Sequence, residues 1–261
     1  MAAINETFGL GYDLDPVQER IVRSSAQQII VNCTRQWGKT STIAAKVAHE
    51  AMSETGLILV LAPVERQAKE LFRKITTSIK HSLKATHGSI GFLEDNKTTL
   101  ELTNGSRIVA LPAIGENIRG YTNPRMIVID EAAFVKDEDY RSIRPMLSHG
   151  ARLIVMSTPF GKRGWFHETW NITGNAWERY CVLAEDCHHI PKAFLDGERV
   201  NLGPWWYSQE YECKFLDNIS SFFDMDAIRS SLEDGVAPLW AAVDTINEAE
   251  LVDSEPLWEA S

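Results

Sequence analysis

A lysine set between glycine and threonine, directly after an apolar run, is a grouping that handles phosphate. The segment Val31-Asn32-Cys33-Thr34-Arg35-Gln36-Trp37-Gly38-Lys39-Thr40-Ser41 has this form and leads into a helix-compatible stretch. Backbone N–H groups at a helix N-terminus favour an anion, Lys39 can reach the β- and γ-phosphates of a nucleoside triphosphate, and the Thr40 hydroxyl can ligate Mg²⁺. In the pattern G-x-x-x-x-G-K-[ST] the first glycine falls at position 33, where this chain has Cys33. A side chain is acceptable there if the turn does not need a positive φ.

A second grouping supports the same chemistry. Met126-Ile127-Val128-Ile129-Asp130-Glu131 is a buried-strand pattern that ends in two adjacent carboxylates. Asp130 is placed to hold Mg²⁺ and Glu131 to orient or deprotonate an attacking water. Alone, the two acids would equally suit a solvated turn after a core strand, but with a phosphate loop upstream the pair reads as one nucleotide site. Ser157-Thr158-Pro159-Phe160-Gly161 leaves another apolar strand at the same edge of the sheet. Its hydroxyls can face the γ-phosphate, or simply cap a Pro-Gly turn.

The elements that must position these residues follow from periodicity. Asp15 followed by Pro16 predicts an N-cap and a short helix carrying Gln18. Residues 28–33 read as a strand, 39–53 as a helix, 57–62 as a buried strand and 64–83 as a long helix rich in lysine and arginine. Asn104-Gly105 predicts a hairpin with arms 98–102 and 107–111, an antiparallel addition to a parallel sheet. A helix at 137–147, a strand at 151–156 and a strand-like run at 180–183 follow the carboxylate strand. The aromatic stretch Trp205 to Phe215 reads as a small helical lid, its rings packing rather than stacking on bases. The fold class so predicted is α/β, a P-loop NTPase with a mainly parallel central sheet flanked by helices, plus a small lid subdomain. The expected divisions are a core at 1–175, a lid at 176–223 and an acidic tail or linker at 224–261.

Composition limits the partners less than it first suggests. The chain of 261 residues is long enough for one substantial domain and has no run near the eighteen or so apolar residues of a membrane span, so no membrane partner is expected. The first residues lack the charged-then-apolar design of a signal peptide, which makes a cytoplasmic location the expectation. Net charge is −10, yet residues 224–261 hold ten acidic residues against Arg229, so 1–223 carry only −1 and a local basic face for DNA stays open. Cys33, Cys181, Cys187 and Cys213 read as reduced thiols, and the Cys181, Cys187, His188, His189 grouping lacks the C-x₂-C spacing of a zinc site.

The order of these motifs resembles the ATPase part of the large terminase subunit of tailed bacteriophages, from about Asp13 to Asp217. The marks are Thr34-Arg35-Gln36-Trp37-Gly38-Lys39-Thr40, Ile118-Arg119-Gly120-Tyr121-Thr122, Ile129-Asp130-Glu131-Ala132-Ala133-Phe134, Ser157-Thr158-Pro159-Phe160-Gly161 and Gln209-Glu210-Tyr211-Glu212-Cys213. The resemblance implies an ATP hydrolase that moves double-stranded DNA into a procapsid, with ATP and Mg²⁺ bound. It implies a homo-oligomeric ring on a portal, a small terminase subunit as partner, and the infected host's cytoplasm as location. Gln18 would contact adenine and Arg35 would contact or sense phosphate, joining Thr34, Gln36, Gly38, Lys39, Thr40 and Ser41 around the nucleotide. Arg119 would act catalytically on a neighbouring subunit's site, although by itself it reads as a surface arginine before a glycine turn. Ser157 and Thr158 would couple hydrolysis to movement.

In one respect the chain departs from the family. Members usually continue into a nuclease domain, and residues 224–261 are too few to build one, so a separate nuclease domain or chain is expected. Two other readings fit the motifs: a helicase-like nucleic-acid-dependent ATPase, and an ATP-binding assembly switch that moves nothing. Glu131 argues against the switch, which has no need of a catalytic carboxylate.

Overall fold

The computed structural model describes residues 14–86, 90–174 and 176–217; the expected acidic tail lies outside the described residues. Helix α1 (Pro16–Arg23) starts as its sequence requires. Asp15 Oδ1 accepts from the backbone N–H groups of Val17 and Gln18, both at 2.8 Å, and Gln18 Oε1 accepts from Asp15 N at 3.0 Å, forming a capping box. Strand β1 (Gln28–Cys33) runs from there into the phosphate-loop segment, and helix α2 (Lys39–Ser53) leaves it.

The remaining elements alternate as an α/β chain does. They are β2 (Leu57–Ala62), α3 (Glu65–Thr86), β3 (Phe92–Asp95), β4 (Thr99–Leu102), β5 (Arg107–Pro112), the single turn α4 (Gly115–Ile118) and β6 (Met126–Asp130). There follow α5 (Asp137–Ile143), β7 (Arg152–Ser157), α6 (Gly164–Asn171), β8 (Trp177–Val182) and α7 (Lys192–Glu210). The stretch expected as one helix to Leu147 is α-helical only to Ile143 and continues as a 3₁₀ segment, Arg144–His149, with Pro145 lacking the N–H a longer helix would need.

One eight-stranded sheet joins them in the order β3-β4-β5-β2-β6-β7-β1-β8. Every neighbour pair from β5 to β8 is parallel, while β4 pairs antiparallel with both β5 and β3. The β4–β5 hairpin turns at Asn104-Gly105, where Gly105 adopts φ 84°. Strand β8 pairs with β1 from Gln28↔Trp177 to Cys33↔Val182, so the segment expected for the lid opens with a strand of the main sheet.

Alternate residues of the strands feed two cores. Ile29, Val31 and Cys33 pack with Ile43, Val47, Leu71 and Ile75 of α2 and α3, whereas Ile30, Leu59 and Ile129 pack with Ile118, Tyr140, Trp165 and Phe166 on the opposite face. Both faces of the central strands are thus sealed. Polar chemistry is left to the ends of the strands, and the segments after β1, β6 and β7 emerge together at their carboxyl end.

Candidate nucleotide site

Between β1 and α2 the chain turns twice through the left-handed region. Gln36 has φ 61° and Gly38 φ 97°, and the latter forms the N-cap position of α2. Cys33 is absent from the positive-φ residues and is fully buried, which explains why the motif's first glycine can be replaced there. Burial pushes its thiol up to about 12, so at neutral pH it is a small apolar filler and not a nucleophile. A Cβ at Gly38 would lie 3.2 Å from Gln18 Nε2, besides adopting a backbone that side chains avoid.

Lys39, at the first position of α2, meets the carboxylates of the β6 end. Its Nζ lies 2.6 Å from Glu131 Oε1, and both side chains are largely shielded from solvent. Glu131 reaches this place from a left-handed backbone, φ 51°, a conformation that costs a non-glycine residue energy and is commonly found at functional sites. Asp130 beneath it is 5% exposed and accepts from Glu131 N at 2.9 Å. Burial raises its pKa to about 6, against the pull of Lys39, with Glu131's negative charge adding to the rise. Thr40 and Ser41 sit half-buried in the first turn of α2.

The loop is also gripped from outside, by Glu210, His189 and Asp15, to which the sequence assigned no part in the site, and by Gln18, which the resemblance set against adenine. Arg35 pairs with Glu210 at the end of α7, Nε to Oε2 at 2.5 Å, and the Glu210 carbonyl accepts from Thr34 Oγ1 at 3.2 Å and Arg35 N at 3.3 Å. This ion pair holds the Arg35 pKa above its usual value. His189 Nε2 lies 2.9 Å from the Gln36 carbonyl, and Asp15 Oδ2 accepts from the Trp37 indole at 2.5 Å. Gln18, 4% exposed, donates to the Trp37 carbonyl at 3.1 Å while its oxygen serves the α1 cap. Of these, Asp15 was legible only as a helix cap, Glu210 only within a motif and His189 only in a grouping read against zinc; its contact with the loop spans 153 residues of sequence.

The third strand end joins the same edge. Ser157, fully buried, lies opposite Asn32 in the β1–β7 register, and Thr158 is 2% exposed. Ser157 Oγ and Asn32 Oδ1 are buried without a hydrogen-bond partner among the described residues. Asn32 Nδ2 donates to the Cys213 carbonyl at 2.9 Å, and Lys162 N donates to the Leu216 carbonyl at 3.1 Å. The segment after α7 therefore touches the phosphate-loop strand at its start and the Ser157-Thr158 loop at its end.

Arg119 stands apart from this cluster. It caps α4, is exposed, and lines a cavity of about 660 Å³ together with Tyr121, Thr122, Arg141 and Ser142. None of the residues around Lys39 lines that cavity.

Comparison with known proteins bears on the whole arrangement. The family model described as terminase large subunit, T4likevirus-type, N-terminal, matches residues 30–230. The large terminase ATPase domain of Thermus phage P74-26 is similar in fold at 21% identity and TM-score 0.71, covering 80% of this chain and 97% of that one. The large terminase of the thermophilic bacteriophage D6E is 15% identical with TM-score 0.64, covering 78% of this chain and 54% of its own, and that protein has been solved with ADP and with ATP-gamma-S. The HK97 bacteriophage large terminase gives 17% and TM-score 0.56, covering 84% of this chain and 47% of its own. Measured against the last two, this chain spans about half of the relative's length.

Proposed function

The chain belongs to the terminase large-subunit family, and from that premise we propose that it is an ATP hydrolase whose turnover drives double-stranded DNA into a viral procapsid. The observation that carries the reading is the meeting of Lys39 and Glu131, 2.6 Å apart, at the mouth of a loop that ends on the N-terminus of a fifteen-residue helix. A cation and a carboxylate so placed have distinct partners in a hydrolase, one the phosphate and the other the water.

ATP and Mg²⁺ suit the residues present. Gly38 leaves the space a Cβ would fill, and Thr40 and Asp130 offer the hard oxygen donors that magnesium takes. Bound with the nucleotide, Mg²⁺ supplies positive charge against the phosphate oxygens. The chain's own residues do the rest. Lys39 exchanges Glu131 for phosphate, and the carboxylate thus released accepts a proton from water. Arg35 exchanges Glu210 for phosphate, which frees the end of α7. Thr34, Gln36, Gly38 and Ser41 would line the nucleotide's phosphates, Gln18, which braces the loop through the Trp37 carbonyl, would contact adenine, and Ser157 and Thr158 would pass the change to the segment after α7. Arg119, exposed and away from its own subunit's site, is available to a neighbour's.

This reading carries the partners with it: a homo-oligomeric ring on a portal, duplex DNA, a small terminase subunit, and the host cytoplasm as the place of work. The test is steady-state ATP hydrolysis with Mg²⁺ for the parent chain and Glu131→Gln. Glu131→Gln should retain nucleotide binding and lose about 10³-fold or more in turnover, as expected for a lost catalytic base. Parent-like turnover in Glu131→Gln would remove the carboxylate from its role.

A further inference from the structure

The most basic element of this acidic chain is α3. It carries six lysines and arginines against two glutamates, in a protein of net charge −10. Lys69, Arg73, Thr76 and Lys80 recur at the spacing of one helical face, a stripe about 16 Å long. The stripe forms one bank of a groove of about 380 Å³ whose other bank is the β3–β4 turn, Asp95-Asn96-Lys97. That turn is fixed. Lys80 Nζ ties it to the helix through Asp95 at 2.7 Å, and Asn96 Oδ1 accepts from Thr98 N and Thr99 N at 2.8 and 2.7 Å. Lys97 is thereby presented at the rim, exposed and without an ion pair among the described residues.

A second observation points to a ligand. Thr76 is 8% exposed and lines the groove, yet its hydroxyl has no hydrogen-bond partner among the described residues. A helical threonine usually satisfies its hydroxyl by bonding back one turn, as Thr77 does to the Arg73 carbonyl at 2.8 Å. Leaving a buried donor unmade is unfavourable; the Thr76 oxygen is covered in the DNA-free chain, and a turn of its side chain toward the groove would present it to an anion oxygen there. Lys69 and Arg73 are part-neutralised by Glu65 and Glu70 on their own helix, so the groove's charge is moderate and its affinity must come from several contacts.

We propose that this groove seats the phosphate backbone of duplex DNA, an assignment that rests on the DNA-moving reading above and names the surface it uses. A stripe of cations over several helical turns matches an anion that repeats along an axis, as a duplex does about every 3.4 Å on each strand, better than one isolated phosphate. The contacts are to backbone and not to base edges, so binding is indifferent to sequence, as a translocating partner requires.

The experiment measures binding of a short mixed-sequence duplex to the 261-residue chain by fluorescence anisotropy over a salt series, for the parent, Lys97→Ala and Thr76→Val. Lys97→Ala should weaken binding and reduce the slope of log K against log salt by about 0.9, one phosphate contact. Thr76→Val should weaken binding about tenfold with the slope and DNA-free ATP hydrolysis unchanged and the thermal midpoint no lower than the parent's, as for one lost hydrogen bond to a charged acceptor and one buried unpaired hydroxyl removed. If both variants bind as the parent does, the groove is wrong and the DNA reading stands. If the parent shows no salt-dependent duplex binding, groove and DNA reading fall together. Groove-dependent binding in a chain that does not hydrolyse ATP would support the groove and count against the hydrolase reading alone.

Discussion

Asp130 and Gln18 show how burial decides what a side chain can do. The Asp130 carboxyl titrates near 6 in the folded chain against a reference of 3.8, because burial disfavours its charge. Between those values the folded chain holds a proton that the unfolded chain has released, so stability falls as pH rises through this window and levels off above it. At about 1.4 kcal/mol per unit the accumulated cost is about 3 kcal/mol. Asp130→Asn keeps an acceptor for Glu131 N and removes the charge. It should therefore be more stable than the parent at neutral pH by up to about 3 kcal/mol, with the gain vanishing near the reference value, when thermal unfolding is followed in a chelator. A variant less stable than the parent at neutral pH would show that the carboxylate is stabilised by its neighbours instead. Gln18 separates two roles in the same way. Its side chain completes the α1 cap and serves the buried Trp37 carbonyl, so Gln18→Ala should cost about 1–3 kcal/mol in nucleotide-free unfolding. An adenine contact alone predicts a raised KM for ATP with unfolding unchanged.

Among the elements, those with strong local patterns were legible and those defined by distant partners were not. Buried runs such as Leu57–Ala62 and Met126–Asp130 announce central parallel strands, and Asn104-Gly105 announces the hairpin, because each signal is contained in a few consecutive residues. Strand β3 is exposed at all four residues and shows no apolar period, so only its neighbourhood could be read as sheet-like. Strand β8 mixes half-buried, buried and exposed positions at the sheet's other edge, and nothing local says that it pairs with β1. The grip of α7 on the phosphate loop is equally hidden, since Glu210 and Arg35 are 175 residues apart. Helix α7 has a further feature with a measurable cost. Gly203 takes φ 74° and ψ 165° just before Pro204, a conformation that is essentially glycine's, with no atom within 4 Å of where a Cβ would be. Gly203→Ala should thus destabilise by about 1–3 kcal/mol through backbone strain alone, read by denaturant unfolding. An unchanged midpoint would mean that the two halves of α7 can merge without the kink.

For the whole molecule, the sheet gathers the residues proposed to handle nucleotide at one edge, while Arg119 lines a separate cavity. Lys39, Asp130, Glu131 and Ser157 come from three strand ends that the parallel order β6-β7-β1 sets side by side. Arg119 follows β5, which lies beyond β2 from that cluster, and opens onto its own cavity with Arg141. An arginine that completes its own subunit's site has to approach the γ-phosphate; under the function proposed above, this one would do so for a second copy. Hydrolysis that needs it must then depend on how often two copies meet. Turnover per subunit should rise with protein concentration in the parent, and Arg119→Ala should remove the rise while leaving the dilute-limit rate as it was. A finger-type arginine typically contributes about 10³-fold or more, so the rise should be large once copies associate. Mixing supplies the decisive arm. Glu131→Gln keeps Arg119 but cannot activate water, and Arg119→Ala keeps Glu131, so an equimolar mixture of the two nearly inactive variants should recover turnover if the arginine acts across a subunit boundary. A mixture no faster than its components, in samples shown to associate, would place the arginine's effect within a single chain.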